Sequence, residues 1–512
     1  MMQKNLSRPL LTALAAAAIA VPALDAGARP AVRSSAASVR ANEAATARHY
    51  AALIAGAQPQ TAELTLFFSQ MPKGGDLHHH YSGALYAESY VDFLDKQGLC
   101  VNKHTYRIET DKALIEAERA KPPATRNCLG TAEVYADDQT WRELLQRWSS
   151  KDFANHGALQ APPDRQFFQT FGYFGPVSNA NFHDGLVEIK NRAIQENVGY
   201  IETMFKLAPF VADKEFDAQA WNNAKDDATF DAQLRAWMTT LDQDAKFNGQ
   251  VADFVAKVED AAAGIDDERF TMRYQTYVLR LLAPSQVFSS MLAGFKAAHD
   301  GGKSGGKIVG VNIVGQESQM VSMRDYTLHM KMFRFLKSVY PDVNLALHAG
   351  ELALGDVPPE QLQYHIDQAL NLAGAKRIGH GIDLAHESNA PAIMKAMREK
   401  DVPVEINLTS NAFINGVQGA DHPITLYRRY GVPYVISTDD AGVTRHNLSG
   451  EYVLFASRYK PGYAEVKKAS YNSIRYSFLA AADKARLTRQ LDERFAKFEA
   501  AIAALERTSA KH

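Results

Sequence analysis

The 512-residue sequence predicts an α/β protein built on a single (β/α)8 TIM barrel, and three observations predict it. Short apolar, β-prone runs alternate with amphipathic helical stretches from Lys73 onward. Groups able to bind a metal or move a proton stand at the C-terminal ends of several of those runs. No G-x-G-x-x-G or G-x-x-x-x-G-K-[ST] follows any run, so the phosphate-cradling signatures of open doubly wound sheets are missing. Composition is that of a globular chain, with 46% hydrophobic and 22% charged residues. Lys and Arg number 56 against 58 Asp and Glu, so there is no basic surplus for nucleic acid or an acidic membrane surface.

Residues 1–28 read as a signal peptide. Lys4 and Arg8 form a positive start, 10–21 is a short Ala-rich apolar run, and Ala26-Gly27-Ala28 is a small-x-small cleavage site. The run is well short of the ~20 residues a membrane span needs, and no other segment qualifies. The expectation is export, to a periplasm or outside the cell, with no membrane span in the mature chain. Residues 29–70 are Ala-rich and form an N-terminal helical extension that Pro72 ends.

The barrel occupies 71–490. Its clearest strands fall at 200–204, 308–314, 343–347, 377–379, 403–408 and 434–438, with helices between them at 322–339, 359–373 and 390–400. Residues 95–165 break this rhythm with Pro122-Pro123, Pro162-Pro163 and both cysteines, and read as an insertion. Cys100 and Cys128 are too few for a Cys-based zinc framework. In an oxidising compartment they would close one loop, worth ~3–4 kcal/mol; two unpaired thiols are the alternative. Leu487, Leu491, Phe495, Phe498 and Ile502 mark a terminal amphipathic helix, taken as 491–512 where it leaves the barrel.

Four motifs carry chemistry. In Asp76-Leu77-His78-His79-His80, strand alternation sends His78 and His80 to one face and His79 to the other. In Leu347-His348-Ala349-Gly350-Glu351, an apolar run ends in an imidazole and a small turn presents a carboxylate. His380 sits between Gly379 and Gly381, on tight backbone with open space around it. Asp439 and Asp440 follow the last run, and adjacent acids there need a cation or hydrogen bonds to take up their charge. Each motif alone has a bland explanation as a strand end or a solvated turn. Four in chain order do not. His78, His80 and His348 with one aspartate give an N3O set suited to Zn2+, with room for water.

The ordered set L-H-x-H, H-A-G-E, G-H-G and T-D-D resembles the adenosine deaminase branch of the amidohydrolase barrels. Ile313-Val314-Gly315-Gln316-Glu317, Thr409-Ser410-Asn411 and His422-Pro423 add to the likeness, which covers roughly 71–480 outside the insertion. Met71-Pro72-Lys73-Gly74, the leader and the cysteine-bearing insertion are most similar to the secreted, growth-factor-related subgroup. The resemblance implies one Zn2+ per chain held by His78, His80, His348 and Asp439. It implies that Glu351 protonates purine N1, that His380 helps deprotonate and orient the water, and that Asp440 bonds near the attacking oxygen and N7. It places the Gly315 N–H on N3. It further implies a purine nucleoside substrate, adenosine or 2′-deoxyadenosine, and makes the extension a candidate element of a homodimer.

Two positions depart from the family pattern. Ser82 stands where an aspartate usually holds the ribose 5′-hydroxyl, and Asn312 where an aspartate is common. The sugar contact therefore stays open, and with it a deaminase of adenine, of a modified nucleoside or of another aminopurine. An extracellular binding protein on a deaminase scaffold would be expected to have lost a ligand or Glu351, and this chain has lost neither.

Overall fold

The computed structural model describes residues 36–155 and 161–509. The leader read at 1–28 lies outside the described residues. Eight parallel strands form the core: β1 (Lys73–His80), β2 (Val198–Leu207), β3 (Thr271–Leu279), β4 (Ile308–Val314), β5 (Asn344–Ala349), β6 (Arg377–His380), β7 (Val404–Ile406) and β8 (Tyr434–Ile436). They pair in chain order. The sheet closes on itself through one bridge, His79 to Asp439. At that seam the His80 N–H donates to Asp439 O (3.1 Å) and the Asp439 N–H to His78 O (2.8 Å). The barrel is the architecture the sequence predicts.

Three elements differ from the sequence reading, each for a local reason. β3 is an added strand whose apolar run is broken by polar residues. One of them, Gln275, is fully buried and hydrogen-bonds Glu202 and Asn312 inside the barrel. The strand expected at 403–408 stops at Ile406, because Glu451 accepts the Leu408 and Thr409 N–H groups and starts the Leu408–Ile414 helix. The helix expected at 359–373 is broken into a 3-10 turn (Pro359–Leu362), a short α turn (His365–Asp367) and a π turn (Gln368–Ala373). Glu387 takes the Ile366 and Asp367 N–H groups there, and Glu317 takes the His365 ring.

The extension forms two helices, Ala36–Leu53 and Thr61–Gln70. They seal against the terminal helix, Ala481–Ser509, and the preceding Tyr463–Arg475 helix through Tyr50, Phe67, Tyr463 and Phe498, whose contacting ring centroids lie 5.1–6.3 Å apart. After β1 the chain leaves the barrel. A small antiparallel sheet of Cys100–Asn102, Ile108–Glu109 and Cys128–Leu129 carries a Cys100–Cys128 disulfide. The excursion includes the Pro163–Ser178 helix, which returns across the C-terminal ends of the strands. Among the described residues, no helix is long and apolar enough to cross a membrane.

Candidate active site

The side chains of the four motifs meet at the C-terminal rim of the barrel. His78 and His80 face inward from β1, while His79 turns out to Thr203, its Nδ1 2.9 Å from Oγ1. The ligand atoms of His78, His80, His348 and Asp439 all lie within 4.8 Å of one another. His80 Nε2 is 3.2 Å from His348 Nε2, and Asp439 Oδ1 is 3.5 Å from His78 Nε2 and 3.3 Å from His80 Nε2.

Hydrogen bonds behind these groups fix what they present. His78 Nδ1 lies 2.7 Å from Glu405 Oε2, and a carboxylate only accepts, so the ring proton sits on Nδ1. His78 Nε2 then offers a lone pair inward, and it is buried with no hydrogen-bond partner. His348 Nδ1 lies 2.9 Å from Asn312 Oδ1, which also accepts from the Ile313 N–H, while Asn312 Nδ2 donates to Gln275. That ring too points its lone pair inward. Lone pairs and a carboxylate packed this closely repel unless a cation lies among them. The donor set fits a divalent ion such as Zn2+.

Titration follows the same geometry. Burial, with the repulsion of its neighbouring rings, holds His348 well below the ordinary histidine value; burial takes His80 down to about 4. Burial opposes a proton on His78 as well, but Asp439 and Glu405 outweigh it and lift His78 to about 10, so Nε2 keeps a proton until a bound cation displaces it and takes up the lone pair. Glu405 is itself clamped by Arg377, which also pairs with Glu202 (2.5 Å each).

Glu351 follows β5 and is buried. Burial, then the charges of Asp439 and Glu317, push its carboxyl well above the usual range, which favours the protonated acid. Glu317 fixes its backbone by accepting the Gly350 and Glu351 N–H groups (3.1 Å each). Glu351 Oε1 lies 3.6 Å from His380 Nδ1.

His380 is set by a relay. The Ile424 N–H donates to His422 Nδ1 (3.1 Å), so His422 Nε2–H donates to Asn411 Oδ1 (3.1 Å). Asn411 Nδ2 then donates to His380 Nδ1 (2.9 Å). The His380 ring, held neutral by burial, therefore carries its proton on Nε2, 3.8 Å from Asp439 Oδ2. This gives a physical role to the Thr-Ser-Asn and His-Pro segments.

His380 and Asp439 both adopt left-handed backbone, with φ of +67° and +63°. Such non-glycine strain costs on the order of 1–3 kcal/mol and collects at functional sites. Asp440 is buried, and burial plus the adjacent Asp439 raise its carboxyl far above the usual range. Gly83 is required beside it, since a Cβ there would stand 1.5 Å from Asp440 Oδ1.

These groups form one end of a cavity of about 370 Å3. The rest is lined by Ser82, Met204, Leu207, Tyr277, Leu279, Leu281, Val314, Gly315, Gln316 and Gln319, and by Phe167, Phe168 and Phe171 of the returning helix. All the predicted site residues are brought together here. The phenylalanines, and the supporting Glu405, Arg377 and Glu317, were not found from sequence. Phenylalanines at 167, 168 and 171 share one helix face, a spacing that a packed helix shows equally.

A parallel barrel with three histidines, an aspartate and a buried glutamate converging at its C-terminal rim defines a metal-dependent hydrolase of the amidohydrolase type. The comparisons narrow this. A family model described as adenosine deaminase matches residues 218–494, and the chain belongs to that family.

Among curated relatives, the adenosine deaminase of Pectobacterium atrosepticum is 34% identical over 145 residues, 28% of this chain and 40% of that protein. That of Haemophilus ducreyi is 36% identical over 154 residues, 30% and 41% of the two chains. The match to the Pseudoalteromonas translucida adenosine deaminase is 28% identical over 260 residues, covering 46% of this chain and 74% of that one. The chain spans about half or less of the length of the first two.

Solved structures share the fold. The Arabidopsis N6-mAMP deaminase MAPDA has a TM-score of 0.51 at 16% identity, and Arabidopsis ADAL complexed with IMP a TM-score of 0.53 at 16%. Each alignment covers 84% of this chain and 99% of the other.

Proposed function

We propose that the chain hydrolytically removes the 6-amino group of a purine nucleoside, converting adenosine to inosine and 2′-deoxyadenosine to 2′-deoxyinosine with release of ammonia. The observation that carries this is the buried Glu351 carboxyl beside four converging ligand atoms and a donor-oriented His380, all at one end of one cavity. His78, His80, His348 and Asp439 would hold one Zn2+. When bound, the ion supplies Lewis acidity that brings water toward deprotonation near neutral pH.

The chain's own groups do the rest. Glu351 gives its proton to purine N1, so that C6 becomes electrophilic without an anionic ring. The His380 Nε2–H directs a hydrogen bond toward the oxygen that attacks C6 and so orients it. Asp440 bonds that oxygen or purine N7. The Gly315 N–H accompanies N3; its φ of +104° and the Leu279 side chain 3.0 Å from a would-be Cβ keep the position glycine. Water adds at C6 and the C6–N bond breaks. Of the water protons, one leaves with ammonia and one restores Glu351.

A nucleoside is favoured over a nucleotide because, among the described residues, no Lys or Arg lines the cavity, leaving a phosphate dianion without a counter-charge. The test is turnover of adenosine, 2′-deoxyadenosine, adenine and 5′-AMP, followed by absorbance loss near the purine maximum. Adenosine and 2′-deoxyadenosine are expected to lead by at least ~100-fold, since an unpaired buried phosphate is strongly rejected. A lead by 5′-AMP or adenine would overturn the reading. We also propose export, supported by the leader motif and the disulfide; cell fractionation tests it.

A further inference from the structure

We propose that the sugar end of the cavity is built for an apolar 5′ substituent, so that 5′-deoxyadenosines, including 5′-alkylthio ethers, are substrates at least as good as adenosine. This rests on the nucleoside reading above. With C6 at the metal end and N1 at Glu351, N9 and its sugar lie on the far side of the purine. They project into the part of the cavity away from the metal ligands, whose wall includes Phe167, Phe168 and Phe171 of the Pro163–Ser178 helix.

That wall is aromatic. Phe167 is buried and packs its ring 5.0 Å from Phe168 and 5.8 Å from Phe171, both half-buried and lining the cavity. Leu281 continues the surface. Gln316 and Gln319 are engaged with one another and with Asp164 and Ser318. Gln316 Nε2 donates to Asp164 Oδ2 (3.2 Å) and to Ser318 Oγ (3.0 Å), and Gln316 Oε1 accepts from Gln319 (3.2 Å). The Asp164 bond also ties the aromatic helix to the loop after β4. Ser82 is the aliphatic hydroxyl on the lining. A 5′-hydroxyl entering here gives up water for at most the uncharged Ser82 hydroxyl and otherwise meets ring faces. A methyl or thioether covers the exposed parts of Phe168 and Phe171 at no such cost.

The experiment compares kcat/KM for adenosine, 5′-deoxyadenosine and 5′-deoxy-5′-methylthioadenosine, in wild type and in Phe168→Ser and Phe171→Ser. The thioether is expected to equal or exceed adenosine in wild type. Either substitution should lower the thioether-to-adenosine ratio roughly tenfold, the usual scale for one apolar contact. A wild-type preference for adenosine of tenfold or more overturns the inference and leaves the nucleoside reading standing. So does a ratio that both correctly folded variants leave unchanged. If a variant fails to fold, the wild-type ratio decides alone. Failure to deaminate any of the three would overturn the nucleoside reading and this inference with it.

Discussion

The two ends of the cavity are held in place by different forces. At the metal end, four working side chains are gripped from behind by directional bonds: His78 by Glu405, His348 by Asn312, His380 by Asn411, and Asp439 by Ser410 at 2.6 Å. At the outer end, the Phe167, Phe168 and Phe171 rings are held by packing along one helix. Directional bonds fix atoms to within a few tenths of an ångström, as proton transfer and metal binding require. Ring packing tolerates adjustment, which suits a surface that selects a substituent by shape and polarity. Damage to the first end should therefore appear in rate and metal affinity, and damage to the second in substrate preference.

The largest effect should come from Glu351→Gln, which keeps the shape and removes the acid. Turnover should fall about 10²–10⁴-fold with metal content unchanged, as read by ammonia release and metal analysis of the purified protein. Near-wild-type turnover would remove Glu351 from its role.

Next in size is Glu405→Gln, which touches neither substrate nor metal. It should weaken Zn2+ binding about 10–100-fold in a chelator competition titration, because the His78 ring loses its anchor. Unchanged affinity would show that packing alone orients the ring. Asn411→Leu cuts the relay to His380 and should lower kcat about tenfold with little change in KM. In 15N spectra the His380 proton, fixed on Nε2 in wild type, should redistribute between the two ring nitrogens; a wild-type Nδ1–H signal would sink the relay.

At the other end, a Cys100→Ser, Cys128→Ser pair should destabilise the inserted region by about 2–4 kcal/mol in denaturant melts. It should leave kcat on adenosine within about twofold, since the disulfide lies on the small sheet and not on the cavity. A large loss of kcat would mean that the insertion positions the metal end as well.

The smallest effect lies at the foot of β1, away from both ends. Burial lowers Lys73 to about 7, and its Nζ donates to Met71 O and Glu196 O. Between about pH 7 and 10.5 the unfolded chain holds a proton on this lysine that the folded chain lacks, so its contribution to stability rises with pH across that window. Melts of wild type and Lys73→Met at pH 7.5 and 9.5 should show the difference shifting in favour of wild type at the higher pH. The opposite shift would mean that Lys73 stays charged in the fold.

The same contrast explains what was legible in the sequence. Metal and proton chemistry admits few residue types, so His78, His80, His348, Glu351, His380, Asp439 and Asp440 stood out at strand ends hundreds of residues apart. Of the supporting network, Asn312 stood out as a departure from the family pattern, and Glu317, Ser410, Asn411 and His422 stood in segments that add to the likeness, all without a role; Glu405 and Arg377 were not legible. Glu405 sits inside a short apolar run, and nothing local marks it as the partner of His78. β3 escaped because Gln275 interrupts its pattern, although that glutamine is buried for its bonds to Glu202 and Asn312. The aromatic wall escaped because phenylalanines on one helix face fit a core as well as a cavity. The barrel itself was readable because its strand and helix periods alternate along the chain, whichever residues fill them.

The seam between β8 and β1 has a consequence for folding. The sheet closes through the single bridge from His79 to Asp439, and the same two segments carry His78, His80 and Asp439. An ion shared by those side chains would span the gap like a rivet, so its binding would add to the stability of the closed ring. Amide exchange at residues 76–80 and 437–440 should then quicken when the ion is stripped by a chelator, while β3 and β4, on the far side of the ring, keep their protection.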